Sequence, residues 1–175
     1  PYIGDVGWNT WEEINAGSGE NFGWPYYEGG SGVSNQTGGY KDLSEAQTYY
    51  ASGATVTAPL WARTHSSGGV AIVAGDFYTG SVYPSSYQNA LFLSDFGDNE
   101  LRVLRTNANG TLNSVTAVGL DIGAVVEMSM GRDGYLYLVD LADGKVSRLL
   151  FTPASASLMA AEAPPTSSDL SGDGV

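Results

Sequence analysis

Three short stretches repeat one pattern: Tyr2-Ile3-Gly4-Asp5, Phe92-Leu93-Ser94-Asp95 and Tyr137-Leu138-Val139-Asp140, each a strand-like run that stops on an aspartate. A period of two marks a strand, and the turn residues after each aspartate introduce a second run, so the repeated unit is a hairpin. Positions 95 and 140 are 45 residues apart and positions 5 and 95 twice that. This is the period of a propeller blade with one interval doubled or filled by an insertion. A blade cannot bury both faces of its small sheet alone, so about three repeats imply neighbouring blades outside this chain. The expected fold is therefore all-β: a partial β-propeller of antiparallel four-stranded blades. The opening at Pro1-Tyr2-Ile3 inside a strand pattern and the stop at Gly174-Val175 lead us to expect a segment of a longer protein.

Composition narrows the function classes. The 24 glycines and the 15% share of charged residues suit a chain of tight turns with few long helices. Nineteen acidic against seven basic residues give a formal charge of −12, which disfavours nucleic acid and anionic membrane surfaces as partners. No apolar stretch approaches the length of a membrane span. There is no cysteine, which excludes disulfides and thiolate chemistry, and the Ser, Thr, Gly and Tyr content leans extracellular or periplasmic.

Along the chain, residues 1–16 read as a hairpin across a Gly7-Trp8-Asn9 turn. Residues 17–67 dissolve into Gly, Ser, Tyr and Asn, with a helical turn at 42–50 begun by an Asp42 cap. A loop of this length usually carries function. The run 69–78 is apolar enough for an inner strand, and strands follow at 90–95, 100–106 and 114–118, completing one blade. The next blade runs through 125–130, 135–139 and 145–151, and its fourth strand is expected from chain upstream of residue 1. Residues 153–168 read as a linker. Beyond it, Asp169, Ser171 and Asp173, with Gly174 and Val175, match the first half of an EF-type calcium loop, where hard oxygens converge and Gly allows the sharp turn. A polar flexible tail is the alternative reading of that segment.

The motifs Asp5-Val6-Gly7-Trp8-Asn9-Thr10-Trp11-Glu12-Glu13-Ile14-Asn15, Gly19-Glu20-Asn21-Phe22-Gly23-Trp24-Pro25 and Gly131-Arg132-Asp133-Gly134-Tyr135-Leu136-Tyr137 resemble the soluble PQQ-dependent sugar dehydrogenases, the glucose/sorbosone dehydrogenase family. The likeness covers residues 1–152 and implies the C-terminal part of a six-bladed propeller. It implies that the carbonyls of Gly7 and Trp8 hold the calcium that polarises the quinone. It also implies that Glu13 and the Phe22 carbonyl hold a second, structural calcium. Carboxylate and main-chain oxygens suit Ca²⁺. On the residues alone, Glu13 could instead face solvent from an outer strand, and Trp8, Trp11 and Trp24 could be core anchors.

The family's catalytic histidine belongs to an early blade outside this chain. The single histidine here, His65, stands where the family's loops reach the cofactor, and reads either as a pocket-lining residue or as a surface or packing residue. The family holds the quinone's carboxylates with a lysine and an Arg-x-Arg pair, whose places here are Gly97, Ala124 and Val126. Unpaired carboxylates in an acidic pocket are costly, which argues against strong PQQ binding. Two functions follow: a quinoprotein oxidising a sugar C1 hydroxyl or aldehyde, or a propeller without cofactor that binds carbohydrate or protein. Tyr26, Tyr27, Tyr40, Tyr49 and Tyr50 could stack on sugar rings in either, or serve simply as packing in a Gly-rich loop. A hydrolase triad has no support, and Glu12 and Glu13 fall on opposite faces of one strand.

Overall fold

The computed structural model describes residues 1–152 and the strand at 155–160. Asp169, Ser171 and Asp173 lie outside the described residues, as does most of the tract read as a linker. Among the described residues, eleven strands form three antiparallel sheets. The first holds β1 (Tyr2–Val6), β2 (Trp11–Ala16) and β3 (Trp61–Thr64) in that order. The second holds β4 (Ile72–Phe77), β5 (Leu91–Asp95), β6 (Glu100–Thr106) and β7 (Leu112–Leu120). The third holds β8 (Val125–Met130), β9 (Leu136–Asp140), β10 (Lys145–Thr152) and β11 (Ser155–Ala160).

Two expectations are corrected here. The last blade has its own fourth strand, since β11 pairs with β10 from Thr152↔Ser155 to Ser147↔Ala160. It comes from the Ala and Ser tract read as a linker, where low β-propensity hid it. Within the supposed loop at 17–67, β3 pairs with β2 through Trp11↔Thr64 and Ile14↔Trp61. Only the pairing reveals so short a strand. The helix in this insert runs Ser44–Ala51, its N-cap is Leu43, and no side chain caps it.

The sheets stack face to face, as blades do. On β5, Phe92 enters a core shared with Val125, Met128, Leu136 and Leu138 of the third sheet. Leu91 and Leu93, on the opposite face, join Ile14 of the first sheet and Ile72. All five β5 residues are therefore buried, because both faces of the middle blade are covered. β4 and β8, the first strands of their sheets, pack against each other, and β4 also meets β1. The equivalent places of Asp5, Asp95 and Asp140 put β1 in register with β5 and β9, the second strand of each blade. The other edge of β1 is unpaired among the described residues. No helix among the described residues is long and apolar enough to cross a membrane.

Candidate functional site

Topology gathers the chemistry at one end. β1, β5 and β9 run into the turns at 7–10, 96–99 and 141–144, and β3 ends and β4 and β8 begin at that same end. Gly7, Trp8 and His65 therefore share one loop face. His65 lies directly across from the first turn, its backbone N–H donating to the Thr10 carbonyl at 2.9 Å.

The repeated aspartates organise this face. Asp95, fully buried, accepts from the N–H groups of Val70 (3.0 Å), Ala71 (3.3 Å) and Gly97 (2.9 Å). Asp140 accepts from Ala124 (3.2 Å), Ala142 (3.0 Å) and Asp143 (3.3 Å). Each carboxylate thus ties the turn after its strand to the chain entering the first strand of its own blade. This is also why β4 starts at Ile72 and not at Gly69 as its apolar run suggested: Val70 and Ala71 spend their donors on Asp95.

The first blade is arranged differently. Asp5 accepts from the Asn15 side chain at 3.3 Å, and its turn is held by a residue of the insert. Glu28, 2% exposed, takes the N–H groups of Asn9 (3.4 Å), Thr10 (3.1 Å) and Trp11 (3.2 Å) on a single oxygen, Oε2. Three successive amides aimed at one anion form a backbone nest. Gly7 is needed there, because a Cβ at that position would stand 1.9 Å from the Trp11 carbonyl oxygen and 2.3 Å from Glu28 Oε2. With its amides drawn onto Glu28, the turn's carbonyls at Gly7 and Trp8 accept no hydrogen bond from any described residue.

Glu12 and Glu13 do point to opposite faces of β2, and both are buried, so the solvent-facing alternative for Glu13 is overturned. Glu12 faces the second blade: Oε2 accepts from Ile72 N–H at 2.6 Å, and Oε1 accepts from His65 Nε2 at 2.6 Å. Burial raises the Glu12 carboxyl above the usual range, opposed by those two bonds. Glu13 faces the insert, accepting from Gly29 N–H and from the Asn15 side chain (3.1 Å). Burial raises the Glu13 and Asp5 carboxyls as well, and Glu28 adds to both by charge repulsion. No ion pair joins Asp5, Glu13 or Glu28 to a cation among the described residues. Two buried oxygens nearby, Asn15 Oδ1 and Glu28 Oε1, have no hydrogen-bond partner among the described residues. Phe22 is half-buried in the insert, and no bond joins it to Glu13.

The insert carries aromatics of two kinds. Tyr26, Tyr27, Tyr49 and Tyr50 pack on one another, with ring centroids 4.9–6.4 Å apart, and Tyr50 donates to the Tyr26 carbonyl. Trp8 and Trp24 are 54% and 47% exposed and meet Tyr40 edge to face, so neither indole is a core anchor. Trp11 lies against Gly29. Sequence reasoning missed Glu28. Its only signal was a lone acid in a Tyr-Tyr-Glu-Gly-Gly stretch, with nothing local to say what it would face.

The sequence model of the Glucose / Sorbosone dehydrogenase family matches residues 2–150. Among solved structures, the chain is similar to the soluble aldose sugar dehydrogenase of Escherichia coli in its apo-form, with 20% identity and a TM-score of 0.53 over 91% of this chain and 40% of that one. It is also similar to a glucose dehydrogenase, with 21% identity and a TM-score of 0.51 over 88% of this chain and 39% of that one. At such identity the likeness shows the fold, a propeller of which this chain spans about two fifths. No curated protein sequence matches the chain.

Proposed function

Because the chain belongs to the glucose/sorbosone dehydrogenase family, which matches it from residue 2 to residue 150, we propose that it supplies the calcium-holding turn and one wall of the loop face in a sugar-oxidising propeller. The observation that carries this reading is the pair of carbonyls at Gly7 and Trp8, to which no described residue donates, while Glu28 holds the amides of Asn9, Thr10 and Trp11 in the same turn. Carbonyl oxygens without donors, in a strongly acidic chain, suit a hard divalent cation.

The residues fit calcium. Gly7 and Trp8 would hold one ion by their carbonyls. Glu13 would anchor a second with main-chain oxygen such as that of Phe22, and the uncompensated charges of Asp5, Glu13 and Glu28 and the orphaned Asn15 Oδ1 and Glu28 Oε1 favour a cation there. No three acidic or histidine side chains converge on one point among the described residues, so backbone carbonyls must share the coordination. When bound, calcium supplies a Lewis acid at the turn. His65, its ring tied through Nε2 to Glu12 Oε1 at 2.6 Å, adds an imidazole to this face.

The residues do not fit PQQ. Gly97 cannot be replaced by a cation in place, since a Cβ there would meet the Val70 side chain at 2.4 Å. Arg63, Arg102 and Lys145, the cations the blades bring to this end, are already held by Asp98, Glu100, Asp140 and Asp143. The quinone's carboxylates would need cations from blades outside this chain.

That shortage supports a second reading, a propeller that binds carbohydrate or protein without the cofactor. One titration separates the two: add Ca²⁺ and then PQQ to the chelator-treated intact protein, and follow quinone absorbance and dye reduction with a panel of aldoses. Dye reduction by an aldose supports the dehydrogenase. A calcium-dependent thermal shift with no quinone signal at micromolar cofactor rejects it in favour of the binding propeller. Few charges and a high Ser, Thr, Gly and Tyr content favour an extracellular or periplasmic setting for either.

A further inference from the structure

The geometry points to Glu28 as the positioning residue of the Gly7–Trp8 turn and as the link between that turn and the Glu13 cluster. This rests on the calcium reading above and adds a residue to it. Glu28 belongs to the insert, far in sequence from the turn, yet it fixes the turn's orientation. Oε2 collects the N–H groups of Asn9, Thr10 and Trp11, and each of these shares its peptide plane with the carbonyl of the preceding residue, so the bond to Asn9 N–H turns the Trp8 carbonyl away from Glu28. The conformation that satisfies Glu28 thus leaves the Trp8 carbonyl open for an ion, next to the Gly7 carbonyl, to which no described residue donates.

The second oxygen carries the link. Oε1 is buried with no partner, and the Glu28 charge repels both Asp5 and Glu13. A cation bound beside Glu13 relieves that repulsion and steadies the carboxylate whose other oxygen holds the turn. Binding at the two sites is therefore cooperative through one side chain, and by linkage the coupling runs equally in both directions. The insert, anchored beside Glu28 by Glu28 N–H to the Asn35 carbonyl (2.8 Å) and by the Asn35 side chain to the Glu28 carbonyl (2.8 Å), supplies the rigidity.

Terbium luminescence tests this directly, because Trp8 supplies both a carbonyl to the turn and an exposed indole able to sensitise a lanthanide held there. The intact protein, freed of metal by chelation, is titrated with Tb³⁺ and then with competing Ca²⁺. The E28Q and E28A variants are expected to weaken binding by about 10–100-fold, the usual loss when a residue that orients metal ligands is removed. E28Q is near-isosteric and guards against misfolding of E28A. F92L serves as a control that destabilises the fold away from the site; it should lower the melting temperature and leave the Tb³⁺ isotherm in place. Wild-type luminescence with unchanged affinity in both Glu28 variants overturns the positioning role and leaves the calcium reading standing. Absence of any Trp-sensitised, calcium-competed signal in the wild type overturns both.

Discussion

The second and third blades and the first blade solve the same local problem with different carboxylates. In the former, the aspartate that ends the second strand caps its own turn: Asp95 holds Gly97, and Asp140 holds Ala142 and Asp143. In the first blade Asp5 is drawn to Asn15, and the turn is held by Glu28 from the insert. The repeated clamps are satisfied within their blades and flanked by cations, with Arg63 4.0 Å from Asp95 and Lys145 3.7 Å from Asp140. The first blade instead gathers three acids, Asp5, Glu13 and Glu28, that no cation pairs among the described residues. Buried polar atoms without a partner among the described residues occur in all three blades, Ser94 Oγ and Ser147 Oγ as well as Asn15 Oδ1 and Glu28 Oε1, so what sets the first blade apart is its uncompensated charge.

The largest effect that sharpens this contrast is expected at Asp95. Removing it in D95A leaves the partly buried amides of Val70, Ala71 and Gly97 without their charged acceptor, and the cost is about 3 kcal/mol. Thermal or urea unfolding measures it. D5A, at the equivalent position of the first blade, should cost far less; equal losses would break the comparison.

Next in size is the effect of relieving charge. In calcium-free protein, E13Q removes one of three clustered charges and offers an N–H toward the orphaned Asn15 Oδ1. We expect it to raise stability by about 1 kcal/mol, and to abolish most of the stabilisation that calcium gives the wild type. A fall in calcium-free stability would show that Glu13 is satisfied without an ion.

The smallest effect is a pH dependence of opposite sign in the two regions. Asp5, Glu12 and Glu13 have raised carboxyls in the fold, so the folded state binds protons more readily than the unfolded chain. Their contribution is present at acid pH and is lost as pH rises through their raised values. Burial pushes Asp98 up, but its bonds to Arg102 and Arg63 outweigh this and leave it lowered. Its contribution is present at neutral pH and is lost as pH falls through its lowered value. Calcium-free stability should therefore rise on mild acidification and fall again below about pH 4. With calcium bound, the rise should shrink.

How much was legible in the sequence follows the same division. The strands Glu100–Thr106 and Val125–Met130 fall where their apolar pattern placed them: the first lies in the middle blade, covered on both faces, and the second turns Val125 and Met128 into the core shared with that blade. β3 and β11 were missed because four residues, or an Ala and Ser tract, acquire strand geometry from a partner and not from their own preference. Gly7, Trp8 and His65 were placed together by resemblance, and the fold brings them to one face. Glu28 was invisible because its role depends on a contact across 17–19 residues of irregular chain. Of the two readings of the tyrosines, packing describes four of the five, which lie against each other, whereas the exposed rings near the turn are tryptophans.

Hydrogen–deuterium exchange of the chelated intact protein, with and without calcium, tests the central claim most directly. If the Gly7–Trp8 turn and the Glu13–Glu28 cluster hold calcium, peptides covering residues 5–16 and 22–30 gain protection on adding the ion, while those covering residues 91–106 exchange as before. Unchanged exchange throughout, or protection spread evenly over all three blades, would contradict it.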